Sequence, residues 1–563
     1  MTMPVKDAPF LEERTAAVME SVFNDPIVKK ALDQAVPQEI FTIEEQIEIC
    51  EVPAPPMKEQ TRAAMIAEKI NSYGLEASID PVGNVIACRK GTDPDGPVCV
   101  ISAHMDNSFR EGTDTTVRRQ NGRLFAPGIS DASRALACML QVIRMVVNND
   151  IKTKGTLLFI ATVGQEAEGD LRGVKRIFYS SGSHVDGVLV LDGADPGKLL
   201  YGSVGSKRYK VEYSGPGGHS YLNFGQYPSA TQALCRAGAL LANLQVPAEP
   251  RTTFTLATLN GGSSVNAIAE HAECEIDLRS EDAQMLDGLV QEVLPLFAFG
   301  AQLENQRWNV TDPALQVRCK VTPIGHRPAA VSKPDSPVLQ AARAAQMALG
   351  IKLTDFTSAS TDQNVPMSLG IPSTTLGGGG REGFNHSLSE WFEPVRSYEG
   401  PQLCLLTALA LVGLESGSEP LLPIYTAAVI GKPLKVQADL SNKKNPVSTP
   451  KPEPGCQKEI HSQNVDDSQD KIRRIDISEL RTLPAKNWYI VNNSFLTHGY
   501  ANYKHLVIKT DTDGRQYLGV PGVSEPQERM LAGIFGFTEF EPAAPANAAD
   551  VDSGVFGYWF CPL

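Results

Sequence analysis

Positive charge is in short supply in this chain. Fifty-one Lys and Arg against 65 Asp and Glu leave a formal net charge of −14, which disfavours nucleic acid or an anionic membrane as a partner. Cysteine is sparse: ten residues in 563, with no Cys-x-x-Cys pair. That excludes a disulfide framework and suits a reducing compartment. Long apolar runs are missing as well. The segment MTMPVKDAPFLEERTAAV breaks its apolar residues with charges, unlike a signal peptide. The run from Leu403 to Leu414 is too short to cross a bilayer and reads as a buried helix. A phosphate loop, a basic stripe and a redox motif are also lacking. The expectation is a cytoplasmic protein with a small-molecule or protein partner. What is present is ordinary globular material, 42% hydrophobic and 21% charged, which argues against wholesale disorder and coiled coil.

Three short runs, PVCVISAH (97–104), GTLLFIATVG (155–164) and DGVLVLDG (186–193), are almost continuously apolar and bounded by turn residues. Strands buried on both faces read this way. The helical segment SRALACMLQVIRMVV lies between the first two, so the order predicts an α/β fold with helices on both faces of a largely parallel sheet. Ligands gather beyond the carboxyl ends of such strands. A second pattern runs from KRYKVEYSG through PSATQALCRAGALLANL, TTFTLATL, AECEIDLRS and EDAQMLDGLVQEVLPLF to ALQVRCKV. It has the order of a ferredoxin-like split βαβ unit and predicts an inserted α+β lid or dimerisation domain at 207–323. The first pattern resumes after it, so the expected catalytic domain is discontinuous, 1–206 and 324–417. A Pro/Ser/Lys/Asn-rich linker is expected at 418–470. Residues 471–563, with nine basic against ten acidic side chains, read as a small C-terminal α+β accessory domain. The excess acidity therefore belongs to the first 470 residues.

Each central strand runs into potential metal ligands: His104 and Asp106 after the first, Gln165 and Glu166 after the second, Asp192 after the third. Asp131 lies in the turn APGISDASR, and His386 follows the glycine-rich GGGGREGFNH. Taken singly, Asp131 is a helix cap, Asp192 a turn aspartate and His386 an ordinary histidine. Converging at strand ends, they make a two-metal site. If Asp131 bridges two divalent ions, with Glu166 and His386 on one and His104 and Asp192 on the other, three carboxylates offset three of four positive charges and a bridging hydroxide the fourth. Mixed imidazole and carboxylate ligands with open positions suit zinc first, with manganese and cobalt as alternatives.

The segments SAHMD, GISDASR, GQEAEGDLRG, LVLDG, GPGGHS, SSVNAIAE, EIDLRS, STDQNVPMSLGIP and GFNHSLSEW resemble, in the same order, the two-zinc exopeptidase family of glutamate carboxypeptidase, peptidase T, acetylornithine deacetylase and aminoacylase. The resemblance spans roughly residues 40–415. It implies a co-catalytic zinc-peptidase mixed sheet with an inserted dimerisation lid, and hydrolysis of an amide bond in a small peptide or N-acyl amino acid by a metal-bridged hydroxide. It assigns His104, Asp131, Glu166, Asp192 and His386 to the metals and Asp106 to orienting His104. It also gives His219 the role of an oxyanion donor reaching across a homodimer, and Asn266 and Arg279 the role of holding substrate.

One position departs from the family pattern. Gln165 stands where the family has the glutamate that serves as general base, and the following GDLRG fixes the register without a gap. An amide can hold water but cannot accept a proton. Glu168 is a substitute two residues beyond Glu166, displaced by roughly 6–7 Å on an extended chain. Three accounts stay open: a slow hydrolase, a non-catalytic peptide-binding scaffold, or a substitution made to trap substrate. The C-terminal segment looks like a bacterial domain of unknown function, which allows an unidentified protein partner there.

Overall fold

The computed structural model describes residues 11–180 and 184–423. Beyond these it describes the backbone of six short strands between Arg474 and Pro562, which form three two-stranded ladders. The expected linker, and the side chains of the C-terminal domain, lie outside the described residues.

A nine-stranded mixed sheet organises the main body. Its order is Ala77–Ile79, Val85–Arg89, Thr156–Thr162, Val98–His104, Gly187–Leu191, Ser373–Leu376, Lys198–Ser203 and Ala330–Val331, with Asp355–Ala359 also pairing to Lys198–Ser203. The three runs read as buried strands are its centre and are mutually parallel, with Cys99 opposite both Leu157 and Gly187. Their continuous apolarity has a direct cause. Cys99, Ile101 and Phe159 enter a core on one face, while Val100, Ile160, Val188 and Val190 enter a second core on the other. Helices Pro26–Glu51, Ala132–Asn148, Pro337–Ala348 and Glu399–Val412 contribute to the larger core. Glu399–Val412 contains most of the apolar run read as a buried helix, and all its residues are buried. No helix among the described residues is long and apolar enough to cross a membrane.

The inserted unit is a four-stranded antiparallel sheet in the order Thr252–Gly261, His271–Ser280, Gly205–Ser214, Arg318–Arg327. Helices Ala230–Ala242 and Ala283–Arg307 share its core, which includes Leu234, Ala237, Val293 and Phe297. Sequence order and spatial order together make it ferredoxin-like. Its last strand differs from the expectation: it starts at Arg318 and runs through Pro323 to Arg327, with a register shift between Pro323 and Gly325. An edge strand has one row of groups without a ladder partner, so a proline that lacks its N–H is tolerated there. The helices Glu13–Asn24 and Pro26–Glu51 were not anticipated. The second carries Pro37 within it, a residue that normally argues against a helix.

Candidate metal centre

The carboxyl ends of the three central strands lie at one edge of the sheet, and the sequence-predicted ligands meet there as two groups. His104, Asp131 and Asp192 form one; Asp131, Glu166 and His386 form the other. Asp131 belongs to both. Its Oδ1 lies 3.6 Å from His104 Nε2, and its Oδ2 lies 3.0 Å from His386 Nε2. His104 Nε2 is also 3.8 Å from Asp192 Oδ1, and His386 Nε2 is 3.8 Å from Glu166 Oε2. Three of these separations are too long for hydrogen bonds. They approach the roughly 3.3 Å that separates ligand atoms around a tetrahedral ion bound at about 2.0–2.1 Å.

Two observations show that these donors fit a cation. First, both ring nitrogens of the fully buried His104 lack a hydrogen-bond partner, an arrangement that buried polar atoms normally avoid. Second, Asp131 stands at the N-cap of Ala132–Asn148 and makes no side-chain capping bond. The isolated helix-cap reading therefore fails, because the carboxylate is turned to the imidazoles instead. Electrostatics agree. Burial lowers the affinity of His104 for a proton, but Asp106, Asp131 and Asp192 outweigh it and hold the imidazole well above its ordinary range. His386 is pushed up to about 9, chiefly by its hydrogen bond to Asp131. Glu166 is raised by burial and by Asp131. The carboxylates thus crowd one another and demand positive charge at this spot.

Surrounding groups fix these side chains. Asp106 faces His104 Nδ1 at 3.6 Å and accepts the backbone N–H of Gln165 at 2.9 Å and of Glu166 at 2.7 Å. Glu390, which was not singled out in the sequence, lies under the Asp131 turn. It accepts Gly128 N–H at 3.0 Å on one oxygen, and on the other Ser130 N–H at 2.9 Å, Ser130 Oγ at 2.8 Å and Asp131 N–H at 3.2 Å. The glycine run before His386 is needed for close approach. A Cβ on Gly377 would stand 2.1 Å from Asp195 O, and one on Gly379, at φ +94°, 1.9 Å from Ser397 O. Arg134 secures the same run by donating to Gly378 O at 2.7 Å and Ser397 O at 2.6 Å.

Gln165 sits within this cluster, 2% exposed. Its Nε2 donates to Asp192 Oδ2 at 2.9 Å, and its Oε1 accepts Asp362 N–H at 3.1 Å. Asp362 is fully buried, and burial pushes its carboxyl up to about 6. The chain does turn after Glu166, with Ala167 at φ +40°, so the extended spacing assumed for Glu168 does not hold. Glu168 is nevertheless exposed.

The three residues expected in the lid lie apart from this cluster: among the described residues, no hydrogen bond or ion pair joins them to it. His219 and Asn266 are neighbours, since His219 pairs with Ala267 and Ser220 N–H donates to Asn266 O at 2.9 Å. Both are exposed. His219 Nδ1 accepts Tyr221 N–H at 3.2 Å, which leaves Nε2 to carry the proton of the neutral ring. Arg279 pairs with Asp277 at 2.8 Å. It occupies one row with Ser206 and Arg327 across three strands. Arg327 was missed in the sequence. It is buried, its Nη2 donates to Gln165 O, and its Nε has no partner. Glu390 and Asp362 stand in the segments GFNHSLSEW and STDQNVPMSLGIP, a signal that could have found them, whereas Arg327 carried none; the partners of all three are far away in the chain.

The pattern of Peptidase family M20/M25/M40 matches residues 100–407, and that of a family of unknown function, DUF6128, matches residues 466–563. A Pyrococcus furiosus protein named as a LysW-lysine/LysW-ornithine hydrolase is 31% identical over 142 residues, 24% of this chain and 39% of that protein. A succinyl-diaminopimelate desuccinylase of Legionella pneumophila is 24% identical over 275 residues, 44% of this chain and 71% of that protein. The matched segments span only about a third to two fifths of the first curated relatives. A solved tripeptidase from Staphylococcus aureus shares the fold at 20% identity with a TM-score of 0.54, covering 66% of this chain and 97% of that one.

Proposed function

Because the chain belongs to Peptidase family M20/M25/M40, we propose that it is a metal-dependent hydrolase of amide bonds in small peptides or N-acyl amino acids. The observation that carries this reading is Asp131, whose two oxygens face the two imidazoles and so serve two adjoining groups of potential ligands. His104, Asp131 and Asp192 would hold one divalent ion, and Asp131, Glu166 and His386 the other. Zinc is the first choice, with manganese and cobalt as alternatives. When bound, such a pair supplies a Lewis acid for the substrate carbonyl and a water activated near neutral pH.

The chain's own residues then have separate tasks. Asp106 orients His104 and, through two backbone N–H groups, fixes the segment bearing Glu166. Arg327, beside Gln165, and Arg279, in the same row on the far side of Ser206, offer positive charge for a substrate carboxylate. Asn266 would hold the substrate backbone, and in a homodimer formed through the inserted domain the exposed His219 would serve the site of the second copy with its Nε2–H. Gln165 limits the rate. Its amide donates to Asp192 but takes no proton, and loss of a general base costs about 10² to 10⁴ in rate.

The same amide supports the second reading, a protein that binds peptides without turning them over, with residues 471–563 docking a partner. Hydrolysis of dipeptides and N-acyl amino acids by the metal-loaded protein and by Gln165→Glu separates these readings. A rise of about 10² or more in the variant is expected. Equal, robust rates would show that position 165 is not the vacant base, and no turnover in either would favour the binding protein.

A further inference from the structure

The turn that carries Gln165 and Glu166 is gripped from two sides. From the main body, Asp106 accepts its first two N–H groups, at 2.9 and 2.7 Å. From the inserted sheet, Arg208 donates to Ala167 O at 2.7 Å, Arg327 donates to Gln165 O, and His326 N–H donates to the Asp170 carboxylate at 3.0 and 3.1 Å. Lys175, on the main-body side, pairs with the same carboxylate. The turn is also strained. Ala167, Asp170 and Leu171 have φ of +40°, +48° and +60°, three non-glycine residues in the left-handed region within five positions. Such residues persist only where their surroundings hold them. Finally, the grip sits at the joint. Arg208 lies on the strand by which the chain enters the inserted sheet, and His326 and Arg327 end the strand by which it leaves. A swing of that sheet must either break these bonds or carry the turn with it.

We propose that Asp170 is a positioning residue that, with Arg208, fastens the Glu166 turn to the inserted sheet and couples that sheet's orientation to cation binding at Asp131, Glu166 and His386. The coupling rests on the metal reading above. It is reciprocal: a cation that needs Glu166 in place favours the fastened sheet, and the fastened sheet favours the cation. Among the described residues no hydrogen bond or ion pair joins the inserted sheet directly to His104, Asp131 or Asp192; that group is reached only through Gln165 and the shared Asp131, so the larger effect falls on the Glu166 group.

The test uses the full chain and zinc alone as probe, titrated in competition with a chromogenic chelator. His386→Ala identifies which binding step belongs to the Glu166 group. Asp170→Gly removes the carboxylate without adding backbone strain, Arg208→Ala removes the second tie, and Asp170→Asn keeps an acceptor and tolerates the left-handed conformation. The Glu166 step should weaken about 10-fold in Asp170→Gly and Arg208→Ala, as loss of a supporting contact typically does. The other step should stay within about twofold, and Asp170→Asn should lie near wild type. The amide of His326 reports the reverse direction. Its hydrogen exchange should slow several-fold on zinc addition in the wild type and not in Asp170→Gly. Two zinc ions bound by the wild type, with both steps unchanged or equally weakened in Asp170→Gly, would overturn the coupling and leave the metal reading standing. No zinc bound by the wild type would remove both.

Discussion

Glu390→Gln is the substitution that asks most sharply whether the Asp131 turn is built to present its carboxylate. The native side chain accepts four hydrogen bonds within 3.2 Å, one on the Gly128 side and three on the Ser130–Asp131 side. An amide of the same shape has one acceptor oxygen. Placed toward the three donors, it turns its NH₂ against Gly128 N–H, which loses a charge-assisted bond and leaves two donors face to face. Bonds to charged groups contribute about 1.5–3 kcal/mol each, and a stranded buried donor costs about 1–3 kcal/mol. A net loss of about 3 kcal/mol is therefore expected, less than the sum because the turn can relax. Across roughly 400 described residues, at about 2.1 cal/mol/K per residue, that lowers Tm by about 4 °C. The melt is run on chelator-treated protein, so that metal linkage does not contribute. Zinc affinity, measured separately, should fall about 10- to 100-fold in both binding steps, because Asp131 serves both groups. An unchanged melt together with unchanged zinc affinity would refute the idea that Glu390 organises the turn.

Further outcomes follow from the same contacts. Arg134→Met removes the donors to Gly378 O and Ser397 O and leaves the buried Glu39 without its cationic partner, and should cost about 3–5 kcal/mol, seen as a lower midpoint in chemical denaturation; a midpoint at the wild-type value would contradict it. Gly379→Ala, forced against Ser397 O at positive φ, should cost about 3 kcal/mol or more, and a soluble variant melting as wild type would show that the loop yields freely. Glu292 lies half-buried on Ala283–Arg307, and burial pushes its carboxyl from 4.5 up to about 7. A raised carboxyl is neutral in the fold while the unfolded chain ionises, so stability is intact below about pH 4.5 and falls as pH rises to about 7. Glu292→Gln should therefore stabilise by about 1 kcal/mol at pH 8, after allowance for solvent screening, and by nothing near pH 4; equal melts at pH 8 would contradict this.

Much of this architecture was legible because its signals are local. Continuous apolar runs announced the three central strands, since each sends alternate side chains into cores on opposite faces. The candidate ligands were readable for the same reason, as they lie at the ends of those strands or in turns and loops. Elements whose reason is tertiary were harder to read. The helix Pro26–Glu51 carries Pro37 on its exposed side, where the carbonyl of the equally exposed Asp33 loses its helical donor, while the opposite side packs against Ala132–Asn148, with Gln141 Nε2 donating to Ala35 O. The strand through Pro323 exists because it is an edge. Glu390, Asp362 and Arg327 act on partners more than 150 positions away; Asp362 and Glu390 lie in the segments STDQNVPMSLGIP and GFNHSLSEW, but nothing local says which groups they hold, and Arg327 has no such segment. Gln165 shows both sides. Its identity marked a departure at once, but only the fold reveals that its amide bridges Asp192 and the Asp362 backbone.

The most direct measurement is turnover of a mixed library of di- and tripeptides and N-acyl amino acids by chelator-stripped protein, reconstituted with zinc, manganese or cobalt and assayed beside Gln165→Glu. Two metal equivalents per chain are expected, with metal-dependent amide cleavage that is slow in the wild type and faster in the variant. Fully loaded protein that cleaves nothing in either form, or cleavage that survives complete removal of metal, would contradict it.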